Sequence, residues 1–349
     1  MHFASDNTGP AHPSVMQAMM EANEGYMLPY GADPVMAEVT ERLRATFEAP
    51  EAAVYLVATG TSANALALAT LCEPWQTIFC SRLAHIQEDE CNAPEFFTGG
   101  AKLTLVGQGD KMSVSELRRA ISGEETRGVH GPQRGAVGLT NVTERGQLYS
   151  LEDIRALGGL AKEFALPVHL DGARFANAIA ATNASPAEMT WRAGVDAVSF
   201  GGTKNGLLGV EAVIFFDPGH AQQFEYRRKR AGHLFSKHRY LSAQMLAYLR
   251  DDLWRNLGAQ ANAKAAYLVA ALECLPDVHF DTVPQANMVF CSFPRHLHQR
   301  LHAVGAAYNI WSGTLSGEDP DELLEARLVC DWSISHELID RFVDVLKTG

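Results

Sequence analysis

Short apolar runs alternate with helical patterns through the first two thirds of the chain. This alternation limits the number of possible folds more than any other feature of the sequence. Seven runs are strand-like, at residues 53–58, 76–81, 102–106, 135–142, 166–170, 195–200 and 210–216. Helical patterns lie between several of them, at residues 62–72, 113–122 and 151–165. Many of the runs are continuously apolar, as expected for strands covered on both faces. We therefore expect an α/β fold with a mainly parallel sheet and helices on both sides.

The pattern changes after about residue 217. Long helical stretches are predicted at 217–231, 236–257 and 259–274, then short strands at 287–293, 306–312 and 326–331, then a helix at 335–347. Residues 1–34 are rich in Gly, Pro and Asn. We expect an N-terminal arm over residues 1–34, a large α/β domain over residues 35–245 and a small C-terminal α+β domain over residues 246–349.

Composition excludes several classes of function. The 349 residues include 29 basic and 41 acidic side chains, and the net charge of −12 argues against nucleic acid or an anionic membrane as partner. No apolar run approaches the roughly 20 residues of a membrane span, and the N-terminus lacks a signal-peptide pattern. The six cysteines are scattered, so we expect a reduced, cytoplasmic protein. The histidines form no metal-ligand motif, His296 and His298 included, so no metal site is expected.

A lysine and an aspartate each follow a predicted strand. Asp171 comes directly after the run at 166–170, and Lys204 follows the run at 195–200 and a glycine turn. These are the two groups that a pyridoxal phosphate (PLP) enzyme needs. The lysine amine condenses with the cofactor aldehyde, and the carboxylate keeps the pyridine nitrogen protonated so that the ring can accept electrons. The pair predicts a PLP site at the carboxyl edge of the sheet.

Two further motifs follow predicted strands. Gly60-Thr61-Ser62-Ala63-Asn64 opens a helix after the run at 53–58, where free N–H groups can bind phosphate, although an ordinary helix cap has the same composition. His85 follows the run at 76–81 and could stack on a pyridine ring or be a loop histidine without a role. Glu90, five residues later, could hold His85 or help to anchor a dimer.

Basic residues supply candidates for anion binding. The guanidinium groups of Arg174 and Arg327 suit a bidentate grip on an amino-acid carboxylate, although an arginine taken alone is more often a surface salt-bridge partner. The run Arg227-Arg228-Lys229-Arg230, followed by Lys237, His238 and Arg239, could be a solvated helix face or could supply cations to a phosphate across a subunit boundary.

These residues together match a known family. The chain resembles the L-threonine aldolases, grouped with the β-eliminating lyases of PLP fold type I, over essentially its whole length. The resemblance rests on these segments: Ser5-Asp6-Asn7, Tyr30-Gly31-Ala32-Asp33-Pro34, Gly60-Thr61-Ser62-Ala63-Asn64, His85 with Glu90, Asp171-Gly172-Ala173-Arg174, Gly201-Gly202-Thr203-Lys204-Asn205-Gly206 and the strand holding Arg327. It implies an aspartate aminotransferase-like large domain and PLP as the cofactor.

The resemblance also implies a role for each matched residue. Lys204, Asp171 and His85 would be catalytic. The cofactor would be bound by those three together with Gly60, Thr61, Ser62, Arg174 and Lys229. The substrate would be bound by Ser5, Tyr30, Arg174, Arg327, Thr143 and Glu144. Members are usually tetramers built from dimers with active sites at the dimer interface, where Tyr30 and Lys229 would reach a neighbouring subunit.

The chain departs from the family at one place. Many members carry a second histidine near the substrate hydroxyl, in a segment like Asn-Thr-His-Asn-Gly, whereas this chain reads Asn141-Val142-Thr143-Glu144-Arg145-Gly146. Thr143 or Glu144 would then contact the β-substituent. The base that removes the β-hydroxyl proton is predicted to be His85, with Glu144 as the second candidate.

The expected activity is aldol cleavage of L-threonine, L-allo-threonine and related L-β-hydroxy-α-amino acids to glycine and an aldehyde. One alternative is a phenylserine-type aldolase that takes aromatic aldehydes, with a pocket lined by Phe96, Phe97, Tyr30 or Trp311. Another PLP lyase or a transaminase on the same fold is also compatible, because a fold does not determine the reaction. A non-catalytic assembly partner would be expected to lack Lys204 or Asp171, and both are present.

Overall fold

The computed structural model describes residues 1–347, which form two β-sheets surrounded by helices. The strands of the larger sheet are β1 (Ala53–Val57), β2 (Gln76–Ser81), β3 (Lys102–Val106), β4 (Gln133–Thr140), β5 (Val168–Gly172), β6 (Ala197–Phe200) and β7 (Glu211–Phe215). The strands of the smaller sheet are β8 (Met288–Pro294), β9 (Asn309–Ser312) and β10 (Leu323–Val329).

Helices cover both sheets. Their bounds are α1 (Pro13–Ala22), α2 (Pro34–Thr46), α3 (Gly60–Leu71), α4 (His85–Glu88), α5 (Ala93–Thr98), α6 (Val114–Gly123), α7 (Leu151–Glu163), α8 (Phe175–Thr182), α9 (Pro186–Met189), α10 (Phe224–Arg230), α11 (Arg239–Leu249), α12 (Leu253–Leu272), α13 (Arg295–Ala303) and α14 (His336–Lys347). Within residues 1–347, no helix is both long enough and apolar enough to cross a membrane.

The larger sheet has the strand order β1-β7-β6-β5-β4-β2-β3, and all its strands except β7 point the same way. β7 is antiparallel to both of its neighbours, and Glu211 at its start pairs with Val57 at the end of β1. The first residue of β7 therefore lies at the edge where the parallel strands end. This sheet confirms the expected α/β fold with a mainly parallel sheet.

Apolar packing on both faces explains why the strands read as continuous apolar runs. On β7, Val213 and Phe215 belong to the apolar cluster with helix α3, whereas Ala212 and Ile214 belong to the main core on the opposite face. A strand covered on both faces has no polar side to present to water. Helix α3 is itself buried along most of its length, from Ser62 to Ala69.

The smaller sheet is antiparallel, in the order β8-β10-β9, and packs against α12, α13 and α14. The N-terminal residues join it. The Phe3 ring packs edge-on against Phe342 at 4.9 Å, the Phe3 N–H donates to the Ala307 carbonyl, and the Val329 N–H donates to the Phe3 carbonyl. The boundary between residues 245 and 246 stays a prediction, and the last two residues of the predicted small domain lie outside the described range.

Several predicted boundaries are wrong. The helical stretch predicted over 236–257 ends at Leu249, because Asp251 and Asp252 both adopt left-handed backbone angles with φ of 52°, and α12 starts at Leu253. The stretch at 217–231 is a 3-10 turn followed by the short helix α10. The predicted arm contains helix α1, which begins at Pro13, and the helices α8 and α13 were not predicted from the pattern.

Two adjacent glycines of α7 provide a test of the packing. A Cβ on Gly158 would lie 2.1 Å from the Ala193 carbonyl oxygen, whereas a Cβ on Gly159 would meet no atom within 4 Å. We expect Gly158→Ala to lower the free energy of unfolding by about 1–3 kcal/mol through overpacking. The matched control Gly159→Ala should leave it unchanged or raise it by up to about 1 kcal/mol through helix propensity. Thermal unfolding of both variants at equal PLP concentration measures the difference, and equal midpoints would contradict the packing described here.

Candidate active site

A cavity of about 890 Å³ lies at the edge where the parallel strands of the larger sheet end. Most of the segments that line it lie at a strand end: Ala58 to Thr61 after β1, His85 after β2, Thr140 to Glu144 at the end of β4, Asp171 to Arg174 at the end of β5, Thr203 and Lys204 after β6, and Glu211 at the start of β7. Asn7, Ala11 and Met16 close it from the N-terminal segment.

A chain of hydrogen bonds joins four polar side chains beneath the cavity. The Asn64 amide donates to Asp171 Oδ2 at 2.8 Å and to Glu90 Oε1 at 2.9 Å, and Glu90 Oε1 also bonds His85 Nδ1 at 2.8 Å. Asn64, Glu90 and Asp171 are buried. The ligand atoms of His85, Glu90 and Asp171 lie within 4.8 Å of one another. Because the Asn64 amide donates to both carboxylates, we interpret this cluster as a hydrogen-bond network.

The network shifts the pKa of His85. Its hydrogen bond to Glu90 raises the pKa of His85, and burial opposes this while Asp171 and Glu144 add to it. Burial raises the pKa of Glu90, although His85 and Asn64 oppose that shift. The imidazole is therefore fixed through Nδ1, while its Nε2 makes no hydrogen bond to the described residues.

Lys204 lies in a 3-10 turn, Thr203–Asn205, that follows β6. Its amine makes no hydrogen bond or ion pair with any residue from 1 to 347, and the side chain lines the cavity. The Asn205 side chain anchors the turn by donating to Tyr248 Oη at 2.6 Å and to the Trp254 carbonyl at 2.8 Å. Glu211 Oε2 accepts from the Gly202 N–H at 2.6 Å. Lys204 is thus a free amine on a firmly held turn.

The cavity has donors that fit a phosphate at the start of α3. Thr59 caps this helix by accepting from the Ser62 N–H, and Gly60 and Thr61 line the cavity. A Cβ on Gly60 would meet nothing within 4 Å, so this part of the cavity is open. The Thr203 hydroxyl beside Lys204 is buried and has no partner at good hydrogen-bond geometry among residues 1–347, although it is close enough to Glu211 to lower the pKa of that carboxyl group. With Asp171 and the free amine of Lys204 on the same cavity, these donors fit PLP. The Ser62 hydroxyl, which was also predicted to bind the cofactor, is hydrogen-bonded to Thr59.

Arg174 is buried and held by an aspartate. Its Nε donates to Asp6 Oδ2 at 2.7 Å and its Nη2 to Asp6 Oδ1 at 3.0 Å, and the Asn287 amide also donates to Asp6. Burial raises the pKa of Asp6, but Arg174 and Lys204 together lower it below its usual value. The Arg174–Asp6 pair lies on the cavity wall, where Arg174 is one of the lining residues.

Arg327 is the second predicted carboxylate ligand, and its buried Nε has no hydrogen-bond partner within residues 1–347. Burial lowers the pKa of Arg327, and repulsion from Arg174 lowers it further. Its guanidinium lies 5.7 Å from the centre of the Trp311 ring. Arg327 is not among the residues that line the cavity. It interacts electrostatically with Arg174 and Glu144, which do line it.

The loop after β4 carries Thr143 and Glu144. Glu144 lines the cavity, and its Oε1 accepts from the His85 backbone N–H at 3.2 Å. Burial raises the pKa of Glu144, and Asp171 raises it further. Thr143 is buried against Asp110. Arg145 forms a forked ion pair with Glu325 of β10 and lies 4.4 Å from the centre of the Phe290 ring, so this loop is fixed to the smaller sheet.

The remaining predicted residues lie outside the cavity lining. Ser5 Oγ accepts from the Asn7 N–H and caps a 3-10 turn. Lys229 lies 5.0 Å from the centre of the Tyr30 ring, and both side chains are at the surface of α10 and the segment before α2. None of the aromatic residues proposed for a phenylserine pocket lines the cavity: Phe96, Phe97, Tyr30 and Trp311.

Three polar residues of the site were missed as functional candidates by the sequence reasoning. Glu211 is the only charged residue in β7. A single acidic residue in an otherwise apolar strand could have marked it in the sequence as a functional candidate. Asn64 was noted within the glycine motif, but its link to Glu90 and Asp171 depends on contacts distant in sequence. Asp6 belongs to the Ser5-Asp6-Asn7 motif, and its pairing with Arg174 spans 168 positions.

Comparison with known proteins shows the family to which the chain belongs. Residues 2–293 match the family model described as beta-eliminating lyase. The low specificity L-threonine aldolase of Pseudomonas aeruginosa is 38% identical over 341 residues, which cover 97% of this chain and 94% of that protein. The corresponding enzyme of a Pseudomonas species is 38% identical over 331 residues, covering 95% and 92%. The structure of Leishmania major threonine aldolase superposes with a TM-score of 0.92 at 26% identity, covering 99% and 98%.

Removal of the Glu90 charge tests the hydrogen-bond network. We expect Glu90→Gln to lower the pKa of His85, because the largest interaction that raises it is the bond to the Glu90 carboxylate. The imidazolium would then lose its proton at a lower pH than in the wild type. NMR titration of the His85 ring measures the shift. Glu88→Gln is the matched control, since Glu88 is exposed on α4, and a shift of equal size in both variants would contradict the network.

Proposed function

The chain belongs to the β-eliminating lyase family, and we propose that it is a low-specificity L-threonine aldolase that uses PLP. It cleaves L-threonine and L-allo-threonine to glycine and acetaldehyde, and related L-β-hydroxy-α-amino acids to glycine and the matching aldehyde. The fold agrees with that of PLP fold type I enzymes, with a seven-stranded larger sheet and a smaller C-terminal sheet.

The observation that carries the proposal is the meeting of Lys204 and Asp171 at one cavity, with the amine of Lys204 unpaired. When it is bound to Lys204, PLP supplies an acceptor for the electron pair of the Cα–Cβ bond. Asp171 is fixed by the Asn64 amide and by the Ala173 N–H at 2.9 Å, so its carboxylate is oriented for a protonated ring nitrogen. His85 would stack on the ring, and Gly60 and Thr61 would bind the phosphate.

The substrate carboxylate is proposed to bind Arg174, Arg327 and Ser5. Ser5 is adjacent in sequence to Asp6, the residue that pairs with Arg174. Holding that carboxylate fixes the torsion about Cα, so that the Cα–Cβ bond can lie perpendicular to the ring. The base removes the proton of the β-hydroxyl while the Cα–Cβ bond breaks and the aldehyde C=O forms. One proton is returned to Cα, which yields glycine and balances the reaction.

His85 is the proposed base. Its Nδ1 is held by Glu90, its Nε2 has no partner among residues 1–347, and the residue lines the cavity. Glu144 is the second candidate, because it lines the same cavity beside His85. The hydrogen bond to Glu90 raises the pKa of His85, and burial raises the pKa of Glu144, so each group binds a proton more tightly than it would in water.

We propose a homotetramer, built as a dimer of dimers, in which a second copy completes the site. Exposed apolar side chains cluster in the N-terminal segment beside the cavity lining: Met16, Met20, Tyr26, Leu28 and Tyr30. Leu208, which lines the cavity, is also half exposed. Apolar surface next to an open cavity is typical of a protein–protein contact. Tyr30 and Lys229, which lie outside this chain's own cavity, would then serve the neighbouring one.

Lys204→Ala should abolish both PLP attachment and threonine cleavage, because the amine of Lys204 is the unpaired nucleophile of the cavity. The wild type should be yellow, with a visible band that borohydride removes, and should release glycine and acetaldehyde. Lys162→Ala, which changes an exposed lysine at the end of α7, is the control and should match the wild type. A Lys204→Ala protein that still cleaves threonine at the wild-type rate would overturn the assignment.

His85→Asn should lower kcat for L-threonine and L-allo-threonine by about 10²–10⁴-fold, the usual effect of losing a general base, while PLP stays bound. Glu144→Gln should have a smaller effect. His130→Asn is the matched control, since His130 is exposed and is not among the residues that line the cavity. A larger loss in Glu144→Gln than in His85→Asn would move the base to Glu144, and assays with both phenylserine diastereomers test the aromatic alternative.

A further inference from the structure

Glu211 is a buried carboxyl group of the cavity that has no role in the steps above. It is the first residue of β7, it is 6% exposed, and the other four residues of the strand are fully apolar and buried. It reaches the site because β7 runs antiparallel to β6 and β1, which brings its start to the edge where those strands end. Burial of a charged group in an apolar strand is costly unless a partner stabilises it.

The carboxylate holds the turn that carries Lys204. Its Oε2 accepts from the Gly202 N–H at 2.6 Å. Gly202 has no room for a side chain, because a Cβ would lie 2.3 Å from Leu207 Cδ1 and 2.8 Å from the Val210 carbonyl oxygen. The backbone is therefore fixed two residues before Lys204, by a hydrogen bond on one side and by packing on the other.

Lys204 is also the cation that acts on this carboxylate. Burial raises the pKa of Glu211 to about 7, against the opposing effects of Thr203, the Gly202 N–H and the charge of Lys204. From α11, Tyr248 faces the same turn, with its hydroxyl donating to the Gly201 carbonyl at 3.1 Å, and burial raises its pKa so that it is uncharged. Asp6 and Glu144 also interact with Lys204, but Asp6 is paired with Arg174.

We propose that Glu211 is a positioning residue for Lys204: it holds the turn at Gly202 and supplies the negative charge that keeps the Lys204 nitrogen protonated when that nitrogen is bonded to PLP. This role of Glu211 depends on the proposed function in one respect, because it requires PLP to be bonded to Lys204. A protonated linkage between lysine and cofactor is more electrophilic than a neutral one. The charge of Glu211 would thus prepare the linkage for attack by the substrate amine.

Glu211→Gln separates the two parts of this role, because glutamine keeps an oxygen that can accept from the Gly202 N–H but carries no charge. The PLP-loaded full-length protein is titrated between pH 5 and pH 10 without substrate, and the visible band of the protonated linkage is followed. Loss of the negative charge should lower the midpoint of this titration by roughly one pH unit, because a nearby opposite charge favours the charged form of a group. PLP content and the thermal midpoint of unfolding should stay close to those of the wild type.

Glu211→Asp keeps the charge, so its titration midpoint should stay close to that of the wild type. This second variant keeps the proposal testable if Glu211→Gln fails to fold. Glu225→Gln removes an exposed charge from α10 and is the matched control. An unchanged midpoint in a folded, PLP-loaded Glu211→Gln protein overturns the proposal, as does an equal shift in Glu225→Gln. A wild type that takes up no PLP overturns the proposed function itself. A wild type that binds PLP but leaves threonine intact overturns the aldolase assignment and not the role of Glu211.

Discussion

The paired donation of the Asn64 amide is the contact on which the rest of the site depends. Glu90 and Asp171 are both buried, and two carboxylates this close would repel each other in an environment of low polarity. One NH₂ group donates to both, at 2.9 and 2.8 Å. Asn64 can do this because α3 is packed on all sides along that part of its length. The core packing of one helix therefore fixes the distance between the group that holds His85 and the group proposed to bind the cofactor nitrogen.

The reversed strand β7 has a similar effect on the other half of the site. Because β7 is antiparallel to both β1 and β6, those two strands point the same way although they are not adjacent. The glycine motif after β1 and the lysine turn after β6 thus reach one edge, with one strand between them. That strand begins with Glu211, so a carboxyl group lies between the proposed phosphate donors and Lys204.

The sequence indicated the parts of the fold that depend on local patterns. All seven strands of the larger sheet were found, because strands covered on both faces are apolar throughout, and Lys204 and Asp171 stood out because each follows a strand. The break at Asp251 and Asp252 was missed, since left-handed backbone at two aspartates leaves no mark on apolar periodicity. The Arg174–Asp6 pair could not be found, because it depends on the N-terminal segment packing against the smaller sheet.

Strand β10 connects the two ends of the proposed substrate site. Glu325 and Arg327 are two positions apart and therefore lie on the same face of the strand. Glu325 holds Arg145, which is adjacent to Glu144, while Arg327 presents a buried Nε without a partner. The Trp311 ring lies 6.0 Å from the Arg145 guanidinium and 5.7 Å from that of Arg327. The Glu144 loop and Arg327 are therefore both attached to β10. Asp6 already pairs with Arg174, whereas the Nε of Arg327 has no hydrogen-bond partner among residues 1–347, so the carboxylate contact that we propose for both arginines would complete the hydrogen bonding of Arg327.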